Sequence, residues 1–226
     1  MTEITIDTGT LAGTSIQSKT NTQIHLFAGI PYAAPPIGDL RWREPHSPER
    51  WEGVRDAKQY GPSCPQPVAG EGGFRDAIIK GLGVEAPEEV ELEYSEDCLY
   101  LNVFSPELKP EKKLPVLFWV HGGAHRFGTS TNYAGEELAA RGVVLVTINY
   151  RLGPLGFLSH PELTAEGCRG NQGLLDTVFA LQWVQRNIDK FGGDANNVTV
   201  FGESAGGHST CAMFTSPLCK GLIHRA

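Results

Sequence analysis

The sequence predicts an α/β protein in which helices cover both faces of a mostly parallel central sheet. In the second half of the chain, apolar runs typical of buried strands occur at Leu114–Val120, 143–149 and 198–202. Segments with apolar residues at helical spacing alternate with these runs, and such alternation is the pattern of parallel sheets. With 226 residues, 40% of them hydrophobic, the chain is long enough for one domain with a substantial core.

The first part of the chain predicts two other kinds of structure. Residues 1–30 alternate between polar and apolar side chains, which indicates a small antiparallel sheet of short strands. Residues 31–67 are rich in proline and turn formers. We expect them to form an ordered wrap over the surface, because they contain the aromatic side chains Trp42, Trp51 and Tyr60.

From residue 65 onward, we predict a loop followed by strands and helices. The unbroken run Leu114–Val120 indicates a strand buried on both faces. The longest helix is expected to end at Gly192 and Gly193, because glycine commonly ends helices. In order, we predict a solvated loop at 65–97, strands at 99–104 and 114–120, a helix at 133–141, a strand at 143–149, a helix at 171–191, a strand at 198–202 and a helix at 204–214.

Composition argues against several classes of function. The net charge of −7 does not favour a nucleic acid or an anionic membrane as a partner. The sequence has no apolar run long enough to span a bilayer. Its five cysteines form no Cys-x-x-Cys pair and no Cys/His spacing typical of zinc sites, so we predict no metal and no cofactor.

Residues 197–207 carry the strongest functional signal. Val198, Val200 and Phe201 predict a strand, which runs into a Gly-x-Ser-x-Gly pattern centred on Ser204. This pattern fits a sharp strand-to-helix turn that exposes the serine hydroxyl and directs helix N–H groups at a developing oxyanion. The alternative, an ordinary serine in a glycine-rich turn, is disfavoured by the strand before it and the small residues after it.

Several motifs along the chain occur together in one enzyme family. The two longest are Phe-Gly-Gly-Asp to Gly-Gly at 191–207 and Glu-Asp-Cys-Leu-Tyr-Leu-Asn-Val at 96–103, and shorter matches occur at 29–32, 149–151 and 171–174. With these motifs the chain resembles the N-terminal part of a type-B carboxylesterase, in the cholinesterase-related group of the α/β-hydrolase fold. The resemblance spans nearly all of residues 1–226 and implies the N-terminal portion of a single α/β-hydrolase domain, with the C-terminal part of the fold missing.

The resemblance implies roles for four residues. Ser204 would be the nucleophile that accepts the acyl group from a small-molecule carboxylic ester. The backbone N–H groups of Gly123, Ala124 and Ala205 would form the oxyanion hole. The residues themselves agree with this assignment, because a Gly-Gly-Ala turn at the end of a strand can bring two N–H groups close together without side chains in the way.

Two histidines flank this turn. His121 and His125 have the His-x-x-x-His spacing that binds metals on a helix, but here they lie beside glycines at a strand end, so we predict no metal site. His125 also occupies a position where the family it resembles often carries an aromatic residue. We therefore expect a different pocket wall at this position.

The resemblance also implies three structural pairs. They are an ion pair between Arg41 and Glu96, an ion pair between Arg151 and Asp176, and a disulfide between Cys64 and Cys98. Residues 1–7 have neither the basic nor the apolar segment of a secretory signal, so we expect a cytoplasmic protein with reduced thiols. Secretion is the alternative, because many members of the family are secreted.

Two departures from the family bear on function. Cholinesterases hold a quaternary ammonium on a tryptophan in the loop between the residues matching Cys64 and Cys98, and this loop has none, which favours a neutral ester. The fold orders its triad as serine, acid, histidine, yet residues 205–226 contain no Asp or Glu. We therefore expect a truncated N-terminal portion that is nearly inactive alone. A non-catalytic cholinesterase-like binding or adhesion module is the alternative function.

Overall fold

The computed structural model describes residues 2–67, 80–83 and 91–226, and within these ranges eight strands form one mixed sheet. The strand order is β1-β2-β3-β5-β7-β6-β8, and β4 pairs with β2. The strands are β1 (Thr2–Ile6), β2 (Gly9–Gln17), β3 (Gln23–Pro31), β4 (Val54–Asp56), β5 (Tyr100–Ser105), β6 (Leu114–Val120), β7 (Val144–Ile148) and β8 (Gly193–Gly202).

The sheet combines the two kinds of pairing that the sequence predicts. Strands β7, β6 and β8 are parallel neighbours. Strands β1, β2, β3, β5 and β7 pair antiparallel in succession, so the N-terminal strands continue into the same sheet. Most of the loop predicted at 65–97 lies outside the described residues.

Helices follow the strands in the second half of the chain. Besides four 3-10 helices, the described residues form α1 (Glu136–Ala139), α2 (Gly153–Phe157), α3 (Pro161–Ala165), α4 (Gln172–Asn187) and α5 (Ala205–Thr215). Helix α4 passes into a 3-10 helix that ends at Gly192, whose φ of 82° is left-handed, as the sequence predicts. No helix in the described ranges combines the length and apolarity that crossing a membrane would require.

The helix predicted at 133–141 is wrong in extent, because only Glu136–Ala139 is helical. Tyr133 is extended, with φ −119° and ψ 99°, and its ring lies 4.9 Å from that of Trp119. A tertiary aromatic contact therefore takes the place of the first predicted turn. Helices α2 and α3 were not predicted; both are five residues long and start at or beside a proline.

The core consists of two apolar clusters. Helix α4 packs Val178, Leu181 and Trp183 into the larger cluster, together with Val116, Phe118 and Val120 of β6. The smaller cluster includes Leu26, Phe104 and Leu145 and is closed by Ala139 of α1. Hydrophobic burial in these clusters is what holds helices against both sides of the strands.

Burial of the two central parallel strands differs. All five residues of β7 are buried, as predicted. The prediction for β6 is wrong, because Leu117 and Trp119 are only half-buried. These two side chains pack against the smaller cluster, and Phe201 lies 4.8 Å from the Trp119 ring. The apolar run therefore predicts the strand correctly, but it predicts more burial of one face of β6 than the described residues provide.

The proline-rich wrap is anchored by its tryptophans. Trp51 donates a hydrogen bond from Nε1 to the Thr10 carbonyl at 3.0 Å, and Trp42 donates to the Pro154 carbonyl at 2.9 Å. Strand β4, which was not predicted, adds a short parallel pairing to β2. Aromatic side chains thus fix this irregular segment to two distant parts of the chain.

Arg151 and Asp176 form a buried ion pair between the end of β7 and helix α4. Arg151 donates from Nε and Nη2 to the two carboxylate oxygens at 2.8 and 2.7 Å, and its backbone N–H donates to Oδ2 at 3.0 Å. The two side chains are 2% and 0% exposed. Arg41 and Glu96 form a second bidentate pair, at 2.5 and 2.8 Å, which is partly exposed.

Cys64 and Cys98, which the resemblance implied to be a disulfide, are both free thiols in the structure. Both are buried, and the interaction of the neighbouring side chains lowers the pKa of Cys64 and raises that of Cys98. Cys64 also accepts a hydrogen bond from the Leu152 N–H at 3.2 Å. Both thiols therefore belong to the larger apolar cluster, where the wrap meets the start of β5.

Replacing Asp176 by alanine should lower the free energy of unfolding by about 3–5 kcal/mol, because the Arg151 guanidinium would stay buried without its carboxylate. Urea unfolding at pH 7 measures this loss. Glu166→Ala is the matched control, since it removes the carboxylate from an exposed pair with Arg43. A loss for Asp176→Ala no larger than for Glu166→Ala would contradict the prediction.

Candidate active site

Ser204 lies on a strained turn between β8 and α5. Its φ of 53° and ψ of −118° are rare for a residue with a side chain, and its side chain is exposed. A Cβ at Gly202 would lie 2.5 Å from backbone atoms of Gly206, and a Cβ at Gly206 would overlap the Val120 carbonyl oxygen. Both glycines of the Gly-x-Ser-x-Gly pattern are therefore required for the helix to start this close to the strands.

A second turn, at the end of β6, lies directly against the serine turn. A Cβ at Gly122 would lie 3.2 Å from the Cβ of Ser204. The next residues, Gly123, Ala124 and His125, all have left-handed backbone angles, with φ of 102°, 54° and 56°. Gly123 could not carry a side chain without overlap with the Phe127 carbonyl. The glycines therefore permit both the fold of this turn and its approach to Ser204.

The N–H groups of Gly123, Ala124 and Ala205 have no backbone acceptor among the described residues. Ala205 is only 3% exposed and is the first residue of α5, where helix N–H groups lack intrahelical partners. The same helix end carries a partial positive charge. Unpaired donors on two adjacent turns beside an exposed serine are the arrangement that can stabilise an oxyanion on a carbonyl attacked by that serine.

His121 has a structural environment within the second turn. Its Nδ1 donates to the Gly122 carbonyl at 2.8 Å, and its ring stacks on Tyr150 at 4.5 Å. The Tyr150 hydroxyl donates to the His121 carbonyl at 2.9 Å. Burial lowers the pKa of His121 to about 4, so the ring is neutral at pH 7.

His125 and His208 are the other histidines near the serine turn. His125 Nε2 lies 3.1 Å from Ser209 Oγ, and burial lowers its pKa, an effect that the Ala205 backbone partly offsets. His208 is exposed, and its backbone N–H donates to the Ser204 carbonyl at 3.1 Å. Neither has a carboxylate partner within the described part of the chain, so neither is oriented as a triad base.

The structure brings together the four residues that the sequence assigns to catalysis and places the three structural pairs elsewhere. Ser204 and Ala205 lie on one turn and Gly123 and Ala124 on the other. Sequence reasoning did not predict the contact between His125 and Ser209, which joins residues 84 positions apart. Among the described residues, no cluster of three or more His, Cys, Asp or Glu side chains could hold a metal ion.

The mixed sheet and the strained strand-to-helix turn define this chain as an α/β-hydrolase. The chain belongs to the carboxylesterase family, whose model matches residues 1–226. It is 47% identical over 214 residues to para-nitrobenzyl esterase of Bacillus subtilis (strain 168), covering 93% of this chain and 41% of that protein.

Two further comparisons agree. The chain is 46% identical over 227 residues to the fatty acyl-CoA hydrolase precursor, medium chain, of Anas platyrhynchos, covering 99% of this chain and 39% of that protein. A solved structure of PNB esterase matches 98% of this chain and 42% of its own, with a TM-score of 0.81 and 45% identity. The chain thus spans about 40% of the length of the relatives it matches.

In the full-length protein, Gly123→Ala should lower kcat about a hundredfold, because the added methyl group overlaps the Phe127 carbonyl and displaces a predicted oxyanion donor. Gly53→Ala is the control. Gly53 also has a left-handed φ, of 74°, but a Cβ there meets nothing within 4 Å. Ester hydrolysis and thermal unfolding of both variants separate the loss of the oxyanion donor from the general effect of alanine at a left-handed glycine. A folded Gly123→Ala protein with unchanged kcat would exclude this residue from the oxyanion hole.

Stability should fall as the pH is lowered from about 6.5 to about 4, because His121 takes up a proton in the unfolded chain but not in its buried site. Each pH unit in this window costs about 1.4 kcal/mol. Chemical unfolding at several pH values measures the slope, and His121→Gln should flatten it. The exposed His46→Gln variant should keep the wild-type slope; equal slopes in all three proteins would contradict the prediction.

Proposed function

We propose that the protein containing this chain is a serine carboxylic ester hydrolase that works through an acyl-enzyme on Ser204. The observation that carries the proposal is the strained, exposed Ser204 beside N–H groups on two turns that have no backbone acceptor among the described residues. Membership of the carboxylesterase family and similarity to named esterases support it. The substrate class we propose is a small, neutral carboxylic ester.

In the proposed reaction, Ser204 Oγ attacks the ester carbonyl carbon and its proton passes to a general base. The carbonyl oxygen becomes an oxyanion that accepts hydrogen bonds from the N–H groups of Gly123, Ala124 and Ala205. Collapse of this intermediate releases the alcohol, which takes the proton, and leaves the acyl group on Ser204. Water then attacks the acyl-enzyme and releases the carboxylic acid.

The general base and its orienting acid are proposed to lie outside residues 1–226. The α/β-hydrolase triad runs serine, acid, histidine, and residues 205–226 contain no Asp or Glu. The coverage of only 41% of para-nitrobenzyl esterase supports the same proposal. We therefore treat residues 1–226 as the N-terminal portion of one α/β-hydrolase domain, and we expect this portion alone to be nearly inactive.

A non-catalytic binding or adhesion module is the competing function. Such a module has no need for a serine held at an unfavourable φ, nor for unpaired donors beside it. The strain at Ser204 is a cost to folding that catalysis explains and simple binding does not. Covalent labelling distinguishes the two.

We expect Ser204 of the full-length protein to react with a fluorophosphonate, giving one adduct by intact mass. Ser204→Ala should remove the adduct and the hydrolysis of p-nitrophenyl butyrate together. The Ser47→Ala variant loses an exposed hydroxyl that is distant from Ser204 in the sequence, and it should be labelled as the wild type is. Equal labelling of the wild type and Ser204→Ala would show that another residue is the nucleophile.

A further inference from the structure

The two halves of the proposed oxyanion hole belong to different parts of the chain. Gly123 and Ala124 lie on the turn after β6, whereas Ala205 begins α5. Donors from two segments stabilise one oxygen atom only if the distance between the segments is fixed to a fraction of an ångström. A side chain that connects the two segments directly would supply this constraint.

His125 makes such a connection. It follows Ala124 in the chain, and its Nε2 lies 3.1 Å from the hydroxyl of Ser209. Ser209 is 3% exposed and lies one helical turn after Ala205 on α5. The hydrogen bond therefore joins the residue next to one donor with the helix turn that carries the other.

Besides the bond to Ser209, other contacts also fix the ring and backbone of His125. The ring packs on Phe157 of α2, with centroids 4.7 Å apart, and its carbonyl accepts a hydrogen bond from the Gly153 N–H at 2.6 Å. The edge contact with Tyr150, at 6.3 Å, limits rotation of the ring further. A side chain packed on three neighbours can transmit the position of α5 to the turn.

We infer that His125 is a positioning residue that ties the turn of Gly123 and Ala124 to helix α5 through Ser209. This inference rests on the proposed function, because it concerns the geometry of the oxyanion hole. No hydrogen bond joins His125 to Ser204 in the described part of the chain, so we expect loss of the bond to Ser209 to lower kcat more than it changes KM. Loss of the hydrogen bond should lower kcat about tenfold, because a displacement of the turn by less than about 1 Å weakens its oxyanion donors, and a misplacement of about 1 Å costs about a hundredfold.

The test uses the full-length protein and p-nitrophenyl butyrate. His125→Phe keeps a ring against Phe157 without the hydrogen bond, and Ser209→Ala removes the other partner at a helical position that accepts alanine. Each should lower kcat about tenfold with KM changed less than about twofold. The double variant should be no slower than either single variant, because both remove one interaction.

Two further variants separate positioning from general packing. His125→Gln carries an amide with about the reach of Nε2 and should restore most of the lost kcat. His46→Phe makes the same chemical change at an exposed site and should have no effect. Thermal unfolding verifies that all variants fold; if His125→Phe does not, Ser209→Ala and its kcat decide the question.

The outcomes separate this inference from the proposed function. An active wild type whose Ser209→Ala and folded His125→Phe variants keep full kcat would overturn the inference alone. Losses that multiply in the double variant would also overturn it, because the two side chains would then act independently. A wild type that neither hydrolyses the ester nor labels at Ser204 would overturn the proposed function and the inference with it.

Discussion

The backbone of the serine helix lies against the end of strand β6 with no room for a side chain between them. Gly206 touches the Val120 carbonyl, and Gly202 touches Gly206. This close approach forces the chain to turn within two residues, which places Ser204 at a left-handed φ. The exposure of the hydroxyl and the contact with the second turn follow from it, as does the Ala205 N–H, which has no backbone acceptor within the described ranges.

The second turn depends on the first. Only a glycine fits at position 122, because a Cβ there would lie 2.7 Å from the carbonyl oxygen of Glu203, and three left-handed residues then carry the chain away from the serine. The backbone strain in both turns must be offset by packing elsewhere. Fully buried strand β7 and the buried ion pair between Arg151 and Asp176 are part of this packing.

Local sequence patterns predicted the parts of this structure that local forces determine. The apolar run Leu114–Val120 gave the bounds of β6, and Gly-x-Ser-x-Gly located the serine turn, because strand propensity and the steric demand of glycine act over a few residues. The prediction of a helix over 133–141 is wrong in extent because Tyr133 packs on Trp119, and this contact forms only in the tertiary structure. The bond from His125 to Ser209 could not be predicted for the same reason: its partners meet only after β6 and α5 are in place.

The unequal burial of two tryptophans gives this chain internal optical probes. Trp183 is fully buried between helix α4 and the sheet, so its emission should be blue-shifted and insensitive to what surrounds the molecule. Trp119 is half-buried beside Phe201 and Tyr133 on the less covered side of β6. In a variant in which the partly exposed Trp42 and Trp51 are replaced, any segment or molecule that covers this side would exclude water from the Trp119 indole and shift its fluorescence, while Trp183 would serve as an internal reference.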